Sequence, residues 1–332
     1  MIESNDANDE LLTLLDRNRD RSVSGEALAA TLGITRAAVW KRLERLRALG
    51  YEIEGATKRG YRLAPTSDFI SELGVRRYLA PSVPLARLVA LAETDSTNNV
   101  ARELAAQGAP EWTVVVANRQ RAGRGRFGRS FFSPADSGAY MSVVLRPRSM
   151  RSEDGARITT QAALAVCHAI ERVSDKRAGI KWVNDVLIDG KKVCGILTEA
   201  SYGVEIGAID YAVLGVGINA YPPKDGFPAE LASLATSVHA RRIGDGRNRL
   251  IGEFLTAFSR LYSSPSATWR AEYRARSLAL GRRVEVRSLA QPRMARALDV
   301  DEECRLVVEY ENGERATLSS GEISVRLGDG DD

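Results

Sequence analysis

The chain has 332 residues, of which 44% are hydrophobic and 27% charged, a composition that excludes global disorder and favours two or three folded domains. Its longest uncharged stretches, Ile158–Ile170 and Tyr211–Pro223, have about 13 residues, fewer than the ~18 that a membrane-spanning helix needs. Since Met1–Asp6 has neither the basic nor the apolar part of a secretory signal, we expect a cytoplasmic protein without a membrane partner.

The cysteines and histidines narrow the chemistry further. Cys167, Cys194 and Cys304 are scattered and form no CxxC pair, which fits a reducing compartment and argues against a disulfide scaffold. The two histidines lie in no zinc-binding motif, so we expect no metal site built by the protein itself. The formal net charge of +4 is too small to indicate a class of binding partner, whereas the distribution of the charged residues along the chain does indicate one.

The first 65 residues have the pattern of a helix-turn-helix. Ser24 can cap a short helix that ends at Leu32 before Gly33, and Thr35 can cap a second helix over Arg36–Leu49. The apolar residues at helical spacing are expected to face inward: Ala27, Leu28, Leu32, Val39, Leu43 and Leu46. A helix, a glycine-containing turn and a basic second helix are the parts of a DNA reader.

Positive charge is concentrated in the same region, where eight basic residues stand against three acidic ones between Arg36 and Arg62. Tyr51–Arg62 is predicted to form a β-wing with a basic tip. The candidate DNA contacts are the basic residues outside the apolar stripe and at that tip: Arg36, Lys41, Arg42, Arg45, Lys58 and Arg59. Such binding is salt-dependent and favours a dimer on two half-sites. The alternative is a helical packing module whose basic face is only solvated.

The central part alternates strand and helix patterns. Predicted strands cover Leu85–Glu93, Thr113–Ala117, Tyr140–Leu145 and Tyr211–Asn219, and predicted helices cover Asn99–Gln107 and Ile158–Val173. Asp189-Gly190, between two apolar runs, is typical of a type I′ hairpin turn. The sequence therefore predicts a mixed α/β block from about residue 69 to residue 277.

The loop Gln120–Arg129 is rich in glycine and arginine, and its pattern is the one most specific for a ligand-binding function. Gly123, Gly125 and Gly128 spell GxGxxG, but Ser130–Pro134 does not continue as the helix that dinucleotide binding requires. No Walker-type phosphate loop occurs either. Arginines on a glycine loop can bind a triphosphate and become ordered around it. A solvated surface loop or a second nucleic-acid contact are the alternatives.

Several motifs in order make the pattern specific. They are Asp95–Asn98, Gln120 with the GRGRxGR loop, Lys181–Asp185, Lys191-Lys192 before Gly195–Leu197, Gly215–Asn219 and Thr236-Ser237. With its helix-turn-helix, the chain resembles the bifunctional biotin–protein ligases that also act as biotin operon repressors. Val183 departs from the proline usual in that family, which changes backbone stiffness beside Asp185 without removing a functional group.

The resemblance implies an α+β fold with three parts. These are a winged helix-turn-helix over residues 1–65, a mixed-sheet biotin/lipoate-ligase-like catalytic domain over 66–277, and a small SH3-like β-barrel over 278–332. Four short stretches with period-two alternation are compatible with the barrel: Val284/Val286, Leu306/Val308/Tyr310, Ala316/Leu318 and Ile323/Val325/Leu327. Asn312-Gly313 marks a hairpin turn between two of them. The final Gly-Asp-Gly-Asp-Asp is expected to be disordered.

The resemblance also implies a two-step reaction. Biotin and ATP, with Mg²⁺ held by the triphosphate, give biotinyl-5′-AMP, and a lysine of the biotin carboxyl carrier protein then displaces AMP. Biotinyl-AMP is expected to favour a homodimer that binds double-stranded operator DNA. By motif position the substrate residues are Ser96, Thr97, Asn98, Gln120, Arg124, Gly125, Arg126 and Lys192, and the catalytic ones are Lys192, Arg126 and Asp185.

Alternatives remain open at this point. Asp185 either accepts the lysine proton or, with Asn184, only fixes a turn, and Lys192 is either catalytic or a solvated hairpin lysine. A lipoate–protein ligase has the same fold and parallel chemistry. A DNA-binding biotin sensor without ligase activity, and a ligase whose winged helix does not repress, share the same sequence features.

Overall fold

The amino-terminal part is a helical unit with a small hairpin. The computed structural model describes residues 6–56, 60–147, 155–203, 208–287, 291–319 and 322–325. This unit consists of α1 (Asp6–Arg17), α2 (Gly25–Leu32), α3 (Arg36–Ala48), β1 (Ile53–Ala56) and β2 (Gly60–Leu63). The Ser24 and Thr35 side chains accept hydrogen bonds from the Ala27 and Ala38 amides, and β1 pairs with β2 antiparallel. The predicted caps, helices and the two strands of the wing are confirmed, whereas the basic tip of the wing lies outside the described residues.

This unit has a hydrophobic core of its own. Leu28, Val39, Leu43 and Leu46 are buried in it as predicted, and Leu32 is packed at its edge. The prediction for Ala27 was wrong, because its side chain is exposed and Ala29 is buried instead. The helix α1, which the sequence analysis did not anticipate, adds further apolar residues to the same core, namely Leu11, Leu12 and Leu15.

The central part is a seven-stranded mixed sheet in the order β3-β4-β5-β9-β8-β7-β6. Its strands are β3 (Arg87–Leu91), β4 (Thr113–Ala117), β5 (Gly138–Leu145), β6 (Gly179–Lys181), β7 (Asp185–Ile188), β8 (Lys191–Gly203) and β9 (Ala208–Asn219). The helices around it are α4 (Glu72–Arg76), α5 (Thr97–Ala106), α6 (Gly155–Val173), α7 (Ala229–Ala232), α8 (Gly246–Tyr262) and α9 (Ser266–Arg276). Only β3 and β4 pair parallel among the described strands.

Both faces of this sheet are covered by helices. On one face α5 packs on Val144 and Val213, and on the other α6 and α8 pack on Val143 and Leu214. The predicted central strand is β9, which lies between β5 and β8. At the β7–β8 turn Asp189 and Gly190 have φ of 49° and 76°, as the predicted type I′ hairpin requires.

The carboxyl-terminal part is a five-stranded antiparallel sheet in the order β13-β12-β11-β10-β14. Its strands are β10 (Arg283–Arg287), β11 (Pro292–Val300), β12 (Leu306–Tyr310), β13 (Arg315–Leu318) and β14 (Glu322–Val325). The sequence analysis missed β11, because its buried positions Ala295 and Ala297 are alanines that give a weak apolar alternation. The tail expected to be disordered lies outside the described residues.

The carboxyl-terminal sheet shares one continuous hydrophobic core with the central sheet, from Ile70 to Ile323. The indole Nε1 of Trp182 also donates to the Cys304 carbonyl oxygen at 3.2 Å, which ties the two sheets together. In the part of the chain that the structure describes, we find no helix that is long and apolar enough to cross a membrane.

A buried arginine joins the amino-terminal linker to the central part. Arg247 on α8 is fully buried, and its Nε lies 3.1 Å from Oδ2 of Asp68, which is also fully buried. The same guanidinium donates to Asn118 at the end of β4 and to Asp136 before β5. Burial raises the pKa of Asp68 in spite of the neighbouring Arg247. The contacts of Arg247 with Asp68, Asn118 and Asp136 therefore fix how four segments of the chain are arranged more than they add to the stability of the fold.

We therefore expect Arg247→Met to lower the free energy of unfolding by about 3–5 kcal/mol, because it leaves Asp68 buried without its cation. Urea denaturation measures the change. Arg249→Met is the matched control, since Arg249 lies on the same helix and is exposed. Asp68→Asn in the Arg247→Met background should recover part of the loss. An Arg247→Met midpoint equal to that of the control would contradict this interpretation.

Candidate functional site

One pocket collects the predicted substrate residues. It encloses about 900 Å³, including its open mouth, between the start of α5, the arginine loop and strands β7, β8 and β9. Every residue predicted for substrate binding or catalysis lines it: Ser96, Thr97, Asn98, Gln120, Arg124, Gly125, Arg126, Asp185 and Lys192. Residues that are up to 96 positions apart in the sequence are thus brought to one cavity.

One end of the pocket is polar and buried. The Gln120 Oε1 accepts from the Thr97 amide at 2.8 Å and from the Thr97 hydroxyl at 3.1 Å. Ser142 on β5 places its hydroxyl 2.6 Å from Asn98 Oδ1, a contact that no sequence motif had indicated. Buried donors and acceptors with fixed directions suit a ligand that offers its own hydrogen-bonding groups.

Glycines keep the floor of the pocket open. A methyl group at Gly215 would collide with the Asn98 amide, and one at Gly217 would collide with the Phe131 ring. Gly195, on the neighbouring strand β8, is also covered by Phe131. The glycines that the sequence analysis noted in these strands therefore permit a close approach, with an aromatic ring lying on the floor beside the polar end.

The opposite end carries the cations. The Lys192 Nζ lies 2.7 Å from Oδ1 of Asp185, across the β7–β8 hairpin. Asn184 Nδ2 donates to the same carboxylate at 3.1 Å, and Arg126 donates to Asn184 Oδ1 at 3.1 Å. Arg126, Asn184, Asp185 and Lys192 thus form one contiguous cluster that faces the cavity.

Arg124, on the same loop as Arg126, has different partners. Arg124 forms two contacts with the Glu199 carboxylate, at 2.9 and 3.3 Å, and donates to Asn99 at 3.1 Å. The sequence analysis grouped Arg124 with Arg126 for anion binding, whereas the structure shows its guanidinium already paired with a carboxylate. Glu199, to which the sequence analysis assigned no role, follows the Gly195–Leu197 motif by only two positions.

The arginine loop has a defined backbone. Gly125 N donates to Arg129 O at 2.7 Å, and Phe131 N donates to Gly123 O at 2.8 Å. After a single 3-10 turn at Arg126–Gly128 the chain becomes extended. No helix opens here, so the exclusion of a dinucleotide-binding fold is confirmed.

Neither a thiol nor a metal cluster competes with these groups. Burial raises the pKa of the Cys194 thiol, beside Lys192, well above its ordinary value, so this thiol stays protonated. Across the described residues, no group of three or more His, Cys, Asp or Glu side chains is arranged to hold a metal ion.

The candidate DNA-binding surface lies on α3, away from this pocket. Arg36, Lys41 and Arg45 are exposed there and Arg42 is half-buried, while Lys58 and Arg59 lie outside the described residues. Trp40 is 53% exposed on the same helix, although the sequence analysis had not singled it out.

Comparisons with known proteins agree with this architecture. The chain matches the Biotin/lipoate A/B protein ligase family over residues 90–219, an HTH domain over 9–62 and the Biotin protein ligase C terminal domain over 279–326. A solved biotin protein ligase from Aquifex aeolicus, in complex with biotin and ATP, is similar with a TM-score of 0.60 and 26% identity, over 73% of this chain and 99% of that one.

Two curated relatives extend the similarity. A biotin–[acetyl-CoA-carboxylase] ligase of Mycobacterium tuberculosis is 32% identical over 71% of this chain and 88% of its own length. The bifunctional ligase/repressor BirA of Bacillus subtilis is 34% identical over 94% of this chain and 96% of its own length. The chain therefore belongs to the family of bifunctional biotin–protein ligases and repressors.

Proposed function

We propose that the protein is an ATP-dependent biotin–protein ligase that also represses transcription from a biotin operon. The observation that carries the ligase activity is a single pocket that joins a neutral polar end to the Arg126 and Lys192 cations. We assign DNA binding to residues 1–65, catalysis to 66–277 and a supporting role to 278–332. We assign this activity to the cytoplasm, because both ATP and operator DNA are found there.

In the first step, a carboxylate oxygen of biotin attacks the α-phosphorus of ATP and pyrophosphate leaves. The ureido ring of biotin binds at the polar end, to Ser96, Thr97, Asn98 and Gln120. Arg126, the Gly125 amide and Lys192 hold the carboxylate and the α-phosphate, where negative charge builds up in the transition state. Mg²⁺ enters as part of the ATP substrate, bound by phosphate oxygens.

In the second step, the neutral ε-amine of a carrier-protein lysine attacks the acyl carbon of biotinyl-AMP and AMP leaves. The amine must lose a proton, and we assign its acceptance or orientation to Asp185. An anionic ligand competes with Asp185 for Lys192, because these two groups lie 2.7 Å apart. Formation of the adenylate thus frees the carboxylate for the second step.

Among the alternatives, the biotin ligase is favoured over a lipoate ligase by a relative named as a biotin–[acetyl-CoA-carboxylase] ligase over 71% of the chain and by the similar biotin protein ligase structure over 73% of it. A DNA-binding sensor without ligase activity would not need a lysine and a carboxylate in contact within the pocket. For the winged helix, the exposed basic residues of α3 support operator binding. We assign the corepressor role to biotinyl-AMP, which favours the homodimer.

Lys192→Ala should lower the rate of biotinyl-AMP formation by about 10²–10³-fold, since one preorganised cation at a developing oxyanion contributes that much. Lys191→Ala is the matched control, because Lys191 is the exposed neighbour on the same strand. Pyrophosphate release measures the first step with biotin, and lipoate is tested in parallel. Equal rates for the two variants would contradict the assignment of Lys192.

Asp185→Asn should slow transfer from preformed biotinyl-AMP to the carrier domain by about 10²-fold, as expected for loss of a general base. Adenylation should fall less, because Lys192 is retained. Single-turnover assays separate the two steps. Asp189→Asn, at the exposed hairpin turn of the same strand pair, is the control, and asparagine tolerates its positive φ. A loss confined to adenylation would show that Asp185 only holds Lys192.

Lys41→Ala should weaken operator binding in the presence of biotinyl-AMP and reduce the slope of log K against log salt by about one, as for one lost phosphate contact. Fluorescence anisotropy over a salt series measures both quantities. Arg282→Ala, an exposed change at the carboxyl-terminal sheet, is the control. Sedimentation of the same samples tests the dimer, and equal dimerisation with and without biotinyl-AMP would refute the corepressor role.

A further inference from the structure

The Glu199 carboxylate is the acidic group that contacts the polar end of the pocket. It accepts from Asn98 Nδ2 at 2.9 Å and pairs with Arg124 at 2.9 Å. Glu199 lies on β8, whereas Asn98 begins α5 and Arg124 belongs to the arginine loop. One side chain thus connects three of the elements that build the pocket.

The charge of Glu199 determines the direction of the neighbouring hydrogen bonds. An ionised carboxylate can only accept, so the Asn98 amide must turn its NH₂ group toward Glu199 and its oxygen toward Ser142. The Ser142 hydroxyl lies 2.6 Å from Asn98 Oδ1 and 2.8 Å from Thr97 Oγ1 and has one proton to give. The Thr97 hydroxyl in turn donates to Gln120 Oε1 at 3.1 Å.

Glu199 also balances the charge at this end of the pocket. Its two oxygens engage the Arg124 guanidinium, so the excess positive charge of the cavity lies with Arg126 and the Lys192 cluster instead. A ligand with a neutral hydrogen-bonding ring and one carboxylate then has a single favourable orientation, with its ring beside Asn98 and its anion beside Lys192.

We propose that Glu199 is a positioning residue for the acid substrate, which fixes the Asn98 amide and neutralises Arg124. This inference rests on the proposed function, and it gives Arg124 and Arg126 different roles. Arg126 acts on the anionic groups of the substrates, whereas Arg124 acts through Glu199 on the site of the neutral ring.

The test is the Glu199→Gln variant, whose side chain can donate as well as accept and therefore allows the Asn98 amide to reverse. Its Kd for biotin alone, measured by calorimetry, should rise about tenfold or more, the expected loss for a charge-assisted hydrogen bond. The KM for ATP should stay within about twofold of the parent value, because the Lys192 cluster is untouched. Glu199→Asp, which keeps the charge, should recover part of the biotin affinity.

Glu103→Gln is the matched control, since it removes one carboxylate from an exposed position on α5. Biotin affinity equal in Glu199→Gln and in this control would overturn the proposal. Parallel losses for biotin and ATP together with a lower Tm would overturn it as well, since they indicate a merely structural residue. If the parent protein bound no biotin, the proposed function itself would fail, which is a distinguishable result.

Discussion

The buried Arg247 side chain is the constraint that holds the molecule in one arrangement. A guanidinium without access to water must be surrounded by acceptors, and here the acceptors come from separate segments: Asp68, Asn118 and Asp136. Asn118 lies two residues before Gln120, which lines the pocket, and Asp68 lies in the linker that follows the amino-terminal unit. The same buried charge therefore positions the frame of the pocket and the attachment of the DNA-binding helices.

Local signals made much of the fold predictable. Capping residues predicted α2 and α3, and apolar runs predicted the main strands of the central sheet. Asp189-Gly190 predicted the β7–β8 hairpin, across which Lys192 reaches Asp185. The residues predicted for substrate binding and catalysis came from motif position in a known family, and all of them line one pocket. The capped helices, the strands and the hairpin depend on residues close together in the sequence, so the sequence alone is sufficient to predict them.

Features that depend on distant residues could not be predicted in this way. The pairing of Glu199 with Arg124 and the contact of Ser142 with Asn98 exist only once β5, β8 and α5 are adjacent. The burial of Ala29 instead of Ala27 follows from packing around α1, and β11 uses alanines where apolar alternation gives little signal. The ion pair of Arg124 with Glu199 could not be predicted from the motif either, because the motif gives Arg124 and Arg126 the same residue type.

The two flanking parts of the chain differ in how they can be separated from the catalytic part. The amino-terminal unit encloses its own core, whereas the carboxyl-terminal sheet shares the core of the central one and holds the indole of Trp182, a pocket residue, through the Cys304 carbonyl. The helix-turn-helix therefore contributes none of the buried residues that the structure describes in the central core. The last sheet shares the core of the central one, and Ile323 of β14 itself lines the pocket, so we expect the intact pocket to require the chain through β14.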